Sequence, residues 1–94
     1  MTYEQFRQSL SLPSPPPGLS EHLKALWYAT KGDWEQSHQI IQDMEDANAS
    51  WIHAYLHRKE GDIWNADYWY RRAGKKRPSI SLDEEAENIT RNLL

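Results

Sequence analysis

"ALWYATKGDWEQSHQII" (residues 25–41) and "AYLHRKEGDIWNADYWY" (residues 54–70) are two versions of one pattern. Gly32-Asp33 and Gly61-Asp62 stand 29 residues apart (61 − 32). At that offset Leu23 matches Ile52, Ala25 matches Ala54, Ser37 matches Ala66 and Ile41 matches Tyr70. In each copy the glycine suits the left-handed residue that ends a helix, and the aspartate after it suits the N-cap of the next. The unit is therefore a helix, a tight turn and a second helix. Repeated at this length, it predicts an array of helical hairpins.

Reading outward, the first hairpin occupies residues 19–46. Leu19, Leu23, Leu26 and Thr30 share one stripe of its first helix with Trp27 beside them, and its second helix is expected over Trp34–Asp46 with Ile40, Ile41 and Met44 inward. The second hairpin occupies 48–78, with one helix over Asn48–Glu60 and another from Ile63 to about Lys75. Pro78 prevents further continuation. In the C-terminal segment 79–94, Ser81-Leu82-Asp83-Glu84 has the form of a capping box, and Leu82, Ala86, Ile89 and Leu93 follow at helical spacing. Residues 1–18 give a short helix, capped by Thr2 with Gln5 three positions on, and then the stiff run "LPSPPPG" at 12–18. No segment alternates with the period of a strand. The expected architecture is one all-α domain: two tandem helix-turn-helix hairpins, an N-terminal segment and a C-terminal amphipathic capping helix.

Composition narrows the function. Ninety-four residues support one core. A net charge of −3 lacks the positive footprint that phosphate-backbone binding needs, so no nucleic-acid partner is expected. With no cysteine there is no disulfide framework, thiol nucleophile or thiolate metal site. "MTYEQFRQSL" has neither the basic nor the apolar region of a signal peptide, and no run approaches the ~20 apolar residues of a membrane span. The expectation is a cytoplasmic protein with no membrane partner. Its aromatics are mostly Trp and Tyr, five of each against one Phe. These rings carry a polar handle and suit interfaces as well as cores.

Ala54, Gly61, Ala66, Tyr70, Ala73 and Pro78 have the small–Gly–small–aromatic–small–Pro spacing of the tetratricopeptide-repeat family, which the chain resembles over about residues 19–78. The first unit keeps Ala25, Gly32, Ser37 and Ile41 but has Met44 and Ala49 where Ala and Pro belong. The period of 29 is shorter than the family's ~34, and Ser50, His53 and His57 stand where the family has large apolar residues. The run "WIHAYLHRKEGD" with "NADYWYRRAG" also resembles small bacterial proteins of unassigned function. The tetratricopeptide resemblance implies a peptide-binding groove along the side of the third long helix from the C-terminus that carries Trp51, Tyr55, Arg58 and Lys59. A second candidate surface is Trp64, Tyr68 and Arg71, with Arg72 nearby. Aromatic rings beside arginine are the composition of binding hot spots. The C-terminal helix is expected to dock on that second surface, its Asp83, Glu84, Glu85 and Glu87 matching the basic run "RRAGKKR" at 71–77.

His53 and His57, at i and i+4, stack on one helix face. With His38 as a third ligand and Glu60 or Asp67 as a carboxylate, they could hold a metal ion. The reading preferred from the sequence is structural, with the imidazoles packed along the hairpin interface. No HExxH pattern, Gly-rich phosphate loop or nucleophile elbow is present. Capping accounts for Asp33 and Asp62. The expected function is thus a protein- or peptide-interaction module, not an enzyme, with no cofactor or metal. The alternatives are a small-molecule or metal-binding protein, enzymatic or not, built on His38, His53 and His57, and a homodimer formed through the aromatic surface.

Overall fold

A computed structural model describes all of residues 1–94. It contains six helices and no strand: α1 (Tyr3–Ser9), α2 (Glu21–Lys31), α3 (Trp34–Ile41), α4 (Ala47–Glu60), α5 (Ile63–Arg72) and α6 (Leu82–Leu93). Helices α2 and α3 pack as one hairpin, and α4 and α5 as a second.

The two units match residue by residue. Gly32 and Gly61 cap α2 and α4 with φ of 94° and 87°. Asp33 and Asp62 follow with φ/ψ of −93°/76° and −87°/77°. Around each glycine the same two bonds close the helix. The glycine N–H reaches the carbonyl three back at 3.1 Å, and the aspartate N–H reaches the carbonyl five back at 2.9 Å. Each aspartate carboxylate then accepts the N–H three residues on, from Gln36 and from Asn65. This is a helix stop followed by a helix start, built from two residues. The matched interior positions agree as well: Ala25 and Ala54, Ser37 and Ala66, Ile41 and Tyr70 are all buried. Small residues on the facing helices let the two backbones approach, and the larger one fills the space left.

The main core gathers Ala25, Leu26 and Ala29 of α2, Ile41 of α3, Ala49, Ile52, Tyr55 and Leu56 of α4, and Ala86 and Ile89 of α6. A second cluster joins Phe6 of α1 to Leu23 and Trp27 of α2, with Leu93 of α6 against it. There the Trp27 indole N–H donates to Ser9 Oγ at 3.2 Å. Each such side chain removed from water contributes about 1.5–3 kcal/mol. The terminal helices are therefore part of the core.

Three helix boundaries differ from the sequence reading, each for a local reason. Helix α3 ends at Ile41 and not at Asp46, because Asp46 is the N-cap of α4 and accepts from Ala49 N–H at 3.1 Å. Helix α5 stops at Arg72, because Gly74 takes a φ of 73° and Lys75 N–H turns back to the Tyr70 carbonyl. Helix α2 begins at Glu21, with Ser20 accepting from Leu23 N–H.

Candidate functional site

The groove expected along Trp51, Tyr55, Arg58 and Lys59 is filled by the protein's own α6, which packs against α2 and α4. Tyr55 is buried, and desolvation raises its hydroxyl pKa to about 12. Lys59 Nζ donates to the Ala29 carbonyl at 2.6 Å, tying α4 to the end of α2. Arg58 and Trp51 turn to one carboxylate, Glu85 of α6. Arg58 Nη1 donates to Glu85 Oε1 at 2.9 Å and Trp51 Nε1 to Oε2 at 3.3 Å. The Tyr70 hydroxyl adds a bond of 2.6–2.7 Å to the same group. Arg58 also donates to the Ile80 carbonyl. Glu85 is 1% exposed, so three side-chain donors, from Arg58, Trp51 and Tyr70, surround a buried carboxyl group. Desolvation, then Glu85 itself, pushes the Tyr70 hydroxyl pKa upward.

The expectation that α6 docks on the Trp64/Tyr68/Arg71 surface is thereby corrected. One glutamate of "DEEAE" dives into the hairpin junction, and the apolar stripe of Ala86 and Ile89 follows it onto the core. The sequence alone pairs Glu85, with Asp83, Glu84 and Glu87, to the basic run at 71–77. The available signal was its position beside Ala86 and four residues before Ile89, on the apolar side of α6.

The outer face of α5 stays open. Trp64 is 77% exposed and Tyr68 40% exposed, and Ile63 beside them is also exposed. Arg72 lies over the Tyr68 and Trp69 rings, its guanidinium 5.9 Å and 5.1 Å from their centroids. Arg71 is exposed on the same helix and also lines a shallow cleft of about 280 Å³ with Lys75, Lys76 and Arg77. The aromatic stripe thus runs into a basic depression.

The three histidines do come together. His38 Nε2 of α3 and His53 Nε2 of α4 are 3.1 Å apart, and one nitrogen from each of His38, His53 and His57 lies within 4.8 Å of the others. Indoles wall the cluster: Trp34 stacks on His38 at 4.8 Å and Trp69 on His53 at 3.8 Å. Trp34 is itself fixed by donating to the Leu56 carbonyl at 2.8 Å. Of the two carboxylates expected nearby, Glu60 is present, its Oε1 2.7 Å from His57 Nδ1. Asp67 is elsewhere, paired with Arg77 at 2.9 Å. Burial, followed by the two neighbouring imidazoles, lowers the His53 pKa to about 3. Burial and His57 also lower that of His38. These rings are held neutral, with lone pairs available. His53 Nδ1 is buried and has no partner. His22, the fourth histidine, is separate and bonds to Asp46 at 2.7 Å.

Compared with protein-family models, curated proteins and solved structures, the chain matches none. No helix is long and apolar enough to cross a membrane.

Proposed function

We propose that this protein is a small two-hairpin interaction module, tetratricopeptide-like in plan, that binds a protein or peptide through the outer face of α5. The tetratricopeptide-like plan is supported by the matched glycine–aspartate junctions and by the burial of the equivalent small and large residues. One observation carries the binding surface: Ile63, Trp64 and Tyr68, three of the largest exposed apolar side chains, lie together on one ten-residue helix. A tryptophan left in water contributes nothing to its own fold, whereas desolvating it against a partner is strongly favourable. The arginines and the basic depression beyond them favour a partner that places an apolar anchor next to carboxylates. The groove residues Trp51, Tyr55 and Arg58 serve the fold in this reading, because α6 already occupies them.

The test is capture from native lysate by wild type and by Trp64→Ala/Tyr68→Ala, with circular dichroism confirming that both are folded. A partner enriched by the wild type and lost in the variant supports the reading. Equal capture by the two proteins, or none by either, removes it. Light scattering on the same samples identifies the case in which the partner is a second copy of the chain.

A further inference from the structure

We propose that His38, His53 and His57 form a binding site for a divalent transition-metal ion of the zinc class, placed so that the ion ties the first hairpin to the second. The site is distinct from the α5 surface and does not depend on it.

Distance comes first. Zinc bound tetrahedrally at ~2.1 Å from each nitrogen holds its ligand nitrogens roughly 3.4 Å apart. The Nε2 atoms of His38 and His53 are already at 3.1 Å, and all three donor atoms fall within 4.8 Å. Helix spacing places His53 and His57 one turn apart with their rings near parallel, 19° between planes and 5.0 Å between centroids. His38 approaches from α3, nearly perpendicular to both at 82° and 74°. One donor pair on a helix and a third from the facing helix is an arrangement that surrounds a point in space.

The chemistry agrees. The donors are imidazole nitrogens, which suit zinc, copper and nickel and do not suit magnesium or calcium. His57 Nδ1 is held by Glu60 Oε1, which leaves Nε2 as its coordinating atom. A carboxylate behind a histidine in this way fixes the tautomer and raises the basicity of the ligand. Glu60 is thus a positioning residue. Trp34 and Trp69 hold the planes of His38 and His53, so little rotation is needed on binding.

Without an ion the same group is constrained to a complementary pairing of tautomers. In the metal-free protein the 3.1 Å contact requires one of the two Nε2 atoms to be protonated and the other not. A bound ion would instead take a lone pair from each Nε2, while the buried His53 Nδ1 is without a partner in either case. The cluster lines none of the surface clefts. His38 and His57 are partly exposed, so a water can reach the ion as a fourth ligand, but no cleft admits a bulky substrate, which makes the ion a clip between hairpins and not a catalytic centre. Asp62 lies near His57 and Glu60 but its carboxylate accepts from Asn65, and Asp67 is paired with Arg77.

The experiment uses the full chain without a polyhistidine tag, stripped with chelator and titrated with Zn²⁺ by calorimetry and with Co²⁺ by visible absorption. The expected result is one ion per chain, a raised melting temperature with Zn²⁺, and the strong visible bands of four-coordinate Co²⁺. His38→Ala and His57→Gln, both at half-buried positions, should each weaken Zn²⁺ binding by more than ~10-fold, and Glu60→Gln by ~10–100-fold. His22→Ala, at the histidine outside the cluster, should leave the affinity unchanged. Absence of saturable one-to-one binding, or affinity unchanged in folded His38→Ala and His57→Gln, would overturn the assignment. So would loss of binding in His22→Ala.

Discussion

Arg58 of α4 and Glu85 of α6, 27 positions apart, meet at 2.9 Å where the C-terminal helix joins the second hairpin. Their side chains are 15% and 1% exposed. A buried pair of this kind matters most when one member is removed, because the other charge is left without compensation. Glu85→Ala should therefore cost about 3–5 kcal/mol in urea unfolding. A loss below about 1 kcal/mol would mean that solvent reaches the junction and that α6 is not seated as described.

The Trp residues divide sharply. Trp27 is buried under α1 and bonded to Ser9, so Trp27→Ala should cost about 3–5 kcal/mol. Trp64 projects into water, and Trp64→Ala should change stability by no more than about 0.5 kcal/mol. Parallel thermal melts of the two variants compare them directly. A marked destabilisation in Trp64→Ala would show that this ring is structural.

Gly32 and Gly61 should respond alike. Both have positive φ near 90°, and a Cβ at either would meet nothing within 4 Å. The only cost of alanine there is the left-handed backbone, about 1–2 kcal/mol at each site. Denaturation midpoints of Gly32→Ala and Gly61→Ala should agree closely. A difference well over 1 kcal/mol between them would break the equivalence of the two junctions.

Acid should destabilise the metal-free protein before most carboxylates titrate. In the unfolded chain His53 takes up a proton near its ordinary value of 6.5, and in the folded chain only near 3. The unfolded state thus binds more protons throughout that window. Stability is full above about pH 6.5 and declines as the pH falls toward 3, by up to about 1.4 kcal/mol per pH unit for this one group. Replacing His53 with Leu should flatten the slope between pH 6.5 and 5. An identical slope in a folded variant would remove His53 as its source.

The hairpins were legible in the sequence because their signals are local. Glycine at positive φ, a capping carboxylate and a small residue at a crossing are set by neighbours within a few positions. The last turns of α3 and α5 were misjudged where two local signals competed, Asp46 for the next helix and Gly74 for a left-handed exit. Glu85 was missed for a different reason. Its burial depends on Arg58, Trp51 and Tyr70, which are distant in the chain, and no spacing rule reports them. The histidine triad was half visible. The i, i+4 pair follows from helix geometry, and His38 was named as its third member. That His38 comes within 3.1 Å while Asp67 goes to Arg77 is decided by how α3 and α5 sit on α4.

The seat of α6 also sets the terms on which any outside molecule can enter the groove. A helix tethered to its own receptor by the short segment after α5 faces it at an effective concentration on the order of millimolar. A free peptide present at micromolar levels would have to bind roughly a thousandfold more tightly than α6 does to take its place. The hairpin pair thus carries, in the same chain, the helix that closes its own groove.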